Sequence, residues 1–244
     1  MEFSLSDEQR GIVDAARQFA KSKLAPSYAK RDVSGEFSRD LTREMGQLGF
    51  IAPEQSEEFG GSGVDYLTSG LVIEAMASGD FNMAYVQLLA SLNSQILERY
   101  ATADIAQKWI PKICAGEAIL GVALTEPGGG SDAANLQLKA DKVEGGYRLT
   151  GEKASISMAD QADIMVVFAR TGDTDSRAKG VSAFLVEMKS AGISTGRYDD
   201  MGQHCVGRGS IFFDAAFVSD DHQLGEENKA FSQVMRGLIL AEHL

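Results

Sequence analysis

Residues 124–132 read Leu-Thr-Glu-Pro-Gly-Gly-Gly-Ser-Asp. Hydroxyls, carboxylates, a chain-reversing proline and a run of glycines share one short segment. Glycine lets a backbone approach a ligand closely, and bare backbone N–H groups favour polar or phosphorylated partners. The spacing is not the Gly-x-Gly-x-x-Gly of a dinucleotide fold, and no helix pattern opens on it. It also lacks the lysine of a phosphate-binding P-loop. Taken by itself the triplet supports close approach to a ligand, with a flexible surface loop as the alternative. Metal chemistry is not expected: the two cysteines, Cys114 and Cys205, and the three histidines are scattered without ligand spacing. Both cysteines read as buried free thiols suited to a reducing cytosol.

Two kinds of segment must position this loop. The first half of the chain reads as helices. Ser6 with Gln9 forms a candidate capping box. Ile12, Ala16, Phe19, Ala20 and Leu24 then recur at helical spacing until Pro26 stops the pattern. Residues 39–47 form a second helix, with Leu41, Met45 and Leu48 on one face, and helices follow over 67–78, 83–100 and 104–113 despite Pro111. From about Gly121 the pattern changes to short apolar segments between turns. Residues 143–149 surround Gly145-Gly146 as a hairpin, 164–169 read as a buried strand, and 180–188 and 210–218 as two more. Residues 173–179 read as a polar loop. A helix is expected from Glu226, with Phe231, Val234, Met235 and Leu238 on one side. Strands and helices do not alternate, so a doubly wound sheet is not expected.

The chain has 244 residues, 44% of them hydrophobic, which is enough for one large domain or two smaller ones. A net charge of −12 argues against a nucleic-acid surface. No apolar run approaches the ~18 residues of a membrane span, and the start of the chain has no signal-peptide layout. The expected setting is cytoplasmic, with neither nucleic acid nor membrane as partner.

The segment 125–132 resembles the Thr-Glu-Pro-Gly-(Ala/Gly)-Gly-Ser-Asp signature of the flavin-dependent acyl-CoA dehydrogenases. Gly151-Glu152-Lys153 is similar to the family's Gly-x-Lys, and residues 179–187, Met201-Gly202-Gln203, Phe213-Asp214 and Leu224-Gly225-Glu226 follow in the family's order. Residues 3–9, Leu48-Gly49-Phe50 and Glu58-Phe59-Gly60-Gly61 match near the start. The resemblance implies an α+β multidomain fold. An all-α N-terminal domain (1–120) precedes a small antiparallel β-barrel-like domain (121–225) and the start of a C-terminal helical domain (226–244), whose four-helix bundle is missing.

It also implies FAD as cofactor, with Val122, Leu124, Thr125, Gly130, Ser131, Ser155, Ile156 and Ser157 in the cofactor site. The Leu124 and Thr125 backbone and the Thr125 hydroxyl would bind the pyrimidine edge of the flavin. Ser131 would contact the pyrophosphate and border the acyl-CoA channel. Residues 155–157 would lie along the flavin, with the Ser157 hydroxyl near N5. Glu126 and Asp132 read as loop-fixing groups rather than catalysts. The implied reaction is α,β-dehydrogenation of an acyl-CoA thioester. A carboxylate removes the α proton while the β hydride passes to flavin N5, giving a 2-enoyl-CoA. An electron-transfer flavoprotein would reoxidise the flavin, and the intact family form would be a homo-oligomer.

Several positions depart from the family. Ser155 stands where an aromatic residue is usual, and Ser157 where threonine is. His204 replaces an arginine and reads as a loop residue making one hydrogen bond. Asn228 and Ala230 replace glycines. Residues 151–158 and 201–208 resemble most the members acting on cyclohexanecarboxyl-CoA and related alicyclic thioesters. The usual catalytic base belongs to the C-terminal domain. Glu242 is the candidate here, but it falls one residue past the position some members use, about 100° of helical rotation. Residues 237–244 do not resemble the family. If residues 239–244 are encoded ATT TTA GCC GAG CAC TTA, one G inserted after the codon of Leu238 gives a family-like Gly-Leu-Asp-Phe-Ser-Arg-Ala-Leu, so a frameshift is one expectation and a shortened chain the other. A truncated relative that binds acyl-CoA or FAD weakly without catalysis is the rival reading, and an oxidase using O₂ is a third.

Overall fold

A computed structural model describes residues 4–233 of the chain. Phe3, the expected helix face at Val234, Met235 and Leu238, the candidate Glu242 and the departing segment 237–244 lie outside the described residues. The chain divides into two compact units. One comprises the chain up to Ser91 with Pro111–Glu117 and Asp200–Val206; the other comprises Leu92–Ile110, Ala118–Asp199 and the chain from Gly207.

The first unit is helical. α1 (Asp7–Phe19) starts at the expected capping box: the Gln9 amide donates to Ser6 Oγ at 3.1 Å, and the Ser6 amide to Gln9 Oε1 at 3.0 Å. Pro26 does not stop the helical path. A π-helical turn (Ala20–Leu24) and a 3₁₀ turn (Ala25–Ser27) carry it into α2 (Tyr28–Ser34), because a proline near the start of a turn gives up a donor that has no partner there. α3 (Arg39–Gln47) has the bounds its sequence calls for and is capped by Ser38, whose Oγ accepts from the Leu41 amide. Met45 is fully buried, whereas Leu48 stands 56% exposed just beyond the helix end.

α4 (Tyr66–Ala77) is capped by Asp65, and α5 (Phe81–Tyr100) and α6 (Ala103–Cys114) follow, with Pro111 inside α6; Leu92–Ile110, the later part of α5 and most of α6, counts with the second unit. In the first unit α1 packs on α4, and the Phe19 and Phe50 rings lie 5.9 Å apart. Arg31 and Asp80, both buried, join α2 to the start of α5 at 2.6 Å, while Asp80 Oδ1 accepts from the Asn82 and Met83 amides. Among the described residues no helix is long and apolar enough to cross a membrane.

The second unit is built on one sheet. Its strands are β1 (Leu120–Ala123), β2 (Lys139–Val143), β3 (Gly146–Ile156), β4 (Ile164–Arg170), β5 (Val181–Glu187), β6 (Ile193–Arg197), β7 (Gly209–Ser219) and β8 (Gln223–Leu224). The order is β6-β7-β3-β2-β4-β5-β8, with β1 against β4. Most pairs are antiparallel, including the expected β2–β3 hairpin about Gly145-Gly146. β1 and β2, however, run parallel to β4, so the sheet is mixed. All seven residues of β4 are buried, as an uninterrupted apolar run requires. Residues 226–229 form a turn with Asn228 at φ 66°, so the described helix starts at Ala230 rather than Glu226. Asn228 is held there by donating to Ser182 Oγ and accepting from Thr171 Oγ1.

Candidate functional site

The loop 124–132 leaves the end of β1 and makes a tight turn. The Glu126 and Gly129 backbones exchange hydrogen bonds of 3.3 and 3.1 Å across Pro127 and Gly128. Its first residues run beside β3: the Ala154 amide donates to Thr125 O at 3.0 Å, and Lys153 Nζ to Leu124 O at 3.0 Å. The loop and residues 153–157 therefore share one backbone-bonded neighbourhood. Val122, Leu124, Thr125 and Ser157 are half-buried, Gly130, Ser131 and Ser155 are exposed, and Ile156 is buried.

Glu126 and Lys153 hold this arrangement from beneath. Lys153 has no exposed surface, and its Nζ lies 2.7 Å from Glu126 Oε1. The Glu126 carboxylate also accepts from the Gln137 and Leu138 amides, which fixes the returning chain. Burial pushes the Lys153 ammonium down to about 8, with Arg170 adding to the push and Glu126 opposing it. Arg170, at the end of β4, donates to the carbonyls of Ala134, Leu136 and Arg177 and so ties two loops together. Asp132 pairs with Arg177 at 2.7 Å on the exposed side. Glu126 and Asp132 are thus bound up in holding chain segments in place.

The glycines contrast with these anchors. A side chain at Gly128 or Gly129 would meet nothing within 4 Å, and one at Gly130 would only touch Thr125 Cγ2 at 3.4 Å. None of the three has a positive φ. Neither local conformation nor packing within the chain requires glycine there. The turn presents open, uncovered backbone, and a cavity of about 300 Å³ lies beside it, lined by Pro127, Gly128, Asp132, Leu138 and Glu152 among others. A cradle of this kind fits a flat or phosphorylated ligand lying against the backbone.

β3 carries a bulge at the same place. Lys153 faces Ile211 and Ile156 faces Gly209 on β7, so Ala154 and Ser155 together oppose Ser210. Ser155 takes a left-handed φ of 57°, and Met158 one of 60°. The sequence marks Ser155, Ile156 and Ser157 but gives no sign of the bulge, nor of the pairing of Lys153 with Glu126. One signal of the latter was present: a lysine at an inward position of a strand requires a buried partner.

His204 belongs to the helical unit, in the 3₁₀ turn His204–Val206. Its backbone N donates to Asp32 Oδ1 at 3.0 Å, and its ring Nδ1 lies 3.7 Å from Asp32 Oδ2. Cys114 and Cys205 are buried thiols outside any disulfide, and burial pushes the Cys205 thiol up to about 11.

Residues 6–117 match the acyl-CoA dehydrogenase N-terminal domain, and residues 121–216 the acyl-CoA dehydrogenase middle domain. Benzylmalonyl-CoA dehydrogenase of Aromatoleum aromaticum is 35% identical over 93% of this chain and 60% of its own length. The acyl-CoA dehydrogenase from Geobacillus kaustophilus superposes with a TM-score of 0.92 at 30% identity, over 98% of this chain and 63% of that one. PigA with FAD and proline superposes with a TM-score of 0.89 at 29% identity, over 98% and 63%. The chain thus spans about 60% of the length of these relatives.

Proposed function

The chain belongs to the acyl-CoA dehydrogenase family, and on that premise we propose that residues 122–131 and 155–157 hold FAD for the α,β-dehydrogenation of an acyl-CoA thioester. The observation that carries the reading is the bare turn at Gly128 and Gly129, where a side chain would meet no part of the protein. Room kept open there serves a ligand.

In this reading Val122, Leu124, Thr125 and Gly130 hold the polar edge of the flavin, the first three from a half-buried stretch that β1 and β3 fix. Ser131, exposed on the turn, meets the pyrophosphate and borders the acyl-CoA channel. Ser155, Ile156 and Ser157 line the ring. FAD, when bound, supplies the acceptor for the hydride that leaves Cβ. The thioester carbonyl acidifies the α C–H, and a carboxylate takes that proton. Glu242 is the candidate this chain offers for that base. An electron-transfer flavoprotein is the proposed acceptor from the reduced cofactor. Ser155 is small and exposed, which leaves space for a bulky acyl group. The proposed substrate class is therefore a ring-bearing thioester such as cyclohexanecarboxyl-CoA.

A second reading is a chain that binds FAD without turning it over. An anaerobic absorbance titration of the 244-residue chain with FAD, then in parallel with cyclohexanecarboxyl-CoA and with isobutyryl-CoA, separates these readings. Bound flavin that bleaches supports the dehydrogenase. Bleaching by isobutyryl-CoA alone would replace the substrate class, and bound flavin that never bleaches would establish the binding reading. A chain that retains no flavin would sink both.

A further inference from the structure

The bulge in β3 is anchored by a residue outside every motif of the site, Tyr198. A serine at φ 57° is in a region that non-glycine residues adopt at a cost, and such a conformation persists only where neighbours over-determine it. The Ser155 amide donates to Tyr198 Oη at 3.2 Å. Tyr198 Oη lies 2.9 Å from Ser210 Oγ, and Ser210 Oγ donates to Glu152 Oε1 at 2.8 Å.

The proton positions in this chain follow from counting. A serine hydroxyl has one proton, and that of Ser210 goes to the Glu152 carboxylate. The phenol must therefore give its own proton to Ser210, which leaves a phenol lone pair facing the Ser155 N–H. Every bond runs one way, from the Ser155 amide through Tyr198 and Ser210 to the negative charge on Glu152, and bonds in such a chain strengthen one another. Both ends of the chain lie on β3, at Glu152 and Ser155, while Ser210 lies on the facing strand β7. The Tyr198 backbone is itself fixed, since its amide donates to Arg208 O at 2.8 Å.

We propose that Tyr198 is a positioning residue that locks the β3 bulge and so presents residues 155–157 to FAD. The inference rests on the flavin reading above. The test compares the wild-type chain with Tyr198→Phe, which removes one oxygen, and with Ser210→Ala, which keeps the phenol but removes its acceptor. Three quantities are read: hydrogen exchange at the Ser155 amide without ligand, FAD affinity, and the visible spectrum of bound flavin. Loss of one hydrogen bond predicts that Tyr198→Phe exchanges Ser155 faster and binds FAD more weakly, each by about two- to tenfold. A shifted flavin band should accompany these changes, and Ser210→Ala should show the same changes at smaller size.

Unchanged exchange and affinity in a folded Tyr198→Phe chain would overturn the proposal. So would faster exchange with flavin affinity and spectrum unaltered, because the role would then be structural only. If Tyr198→Phe does not fold, Ser210→Ala decides by the same readouts. A wild-type chain that binds no FAD would bring down the flavin reading and this inference together, whereas failure of the inference alone leaves wild-type binding intact.

Discussion

Lys153 is charged, enclosed, and bonded twice to one segment far from it in sequence order, through Leu124 O and the Glu126 carboxylate. Removing one partner of a buried pair leaves the other charge uncompensated, typically at a loss of about 3–5 kcal/mol. Lys153→Met should destabilise the chain by that order in a denaturant titration, and adding Glu126→Gln should recover most of it. The pH dependence has a definite sign. The ordinary lysine value is 10.5, and burial brings Lys153 to about 8. Between those values the unfolded chain binds a proton that the native chain has shed, so stability rises with pH across that window. Below pH 8 both states are protonated and the contribution is constant. The difference in unfolding free energy between wild type and Lys153→Met should therefore grow as pH rises from 8 to 10.5; a flat difference would show that Lys153 titrates alike in both states. The glycines of the turn give the complementary prediction. Gly128→Ala and Gly129→Ala should leave the melting temperature nearly unchanged, within about 0.5 kcal/mol of stability. The same substitutions should weaken FAD binding by about tenfold or more, or 1.4 kcal/mol.

Among the elements, helices announced themselves through caps and periodicity, and strands through buried apolar runs. The bounds of α3 and the Ser6 box were readable because a cap is a local chemical choice. β6 was not readable. Its residues, Ile-Ser-Thr-Gly-Arg, are exposed or half-buried and lie at a sheet edge, so no alternating pattern marks them. The parallel pairing of β1 with β4 was hidden for a different reason, since partners distant along the chain leave no local trace. Helical glycines divide by what surrounds them, which a sequence does not show. A Cβ at Gly46 of α3 would come within 2.2 Å of the Ala115 backbone, while one at Gly11 of α1 would meet nothing. Gly46→Ala should therefore destabilise by about 1–3 kcal/mol through overpacking. Gly11→Ala should stabilise by about 0.5–1 kcal/mol through helix propensity. Thermal unfolding of the two variants, with shifts of opposite sign, checks the packing of α3 directly.

At the scale of the whole molecule, the order of a helical unit and a sheet unit was legible because the two halves differ in hydrophobic period. The signature loop was legible because it concentrates unusual residues in one place. What holds that loop was not: Lys153 with Glu126 beneath it, and Tyr198 behind the bulge, are contacts between segments that only the fold brings together. In the proposed reading the glycine turn and the β3 bulge form one FAD site. The most direct test is amide chemical-shift mapping of the 15N-labelled chain as FAD is added. The largest perturbations should fall on residues 124–131 and 155–157, with the helical unit's α1 and α4 unmoved. Saturable binding with perturbations elsewhere, or none in those two segments, would contradict it.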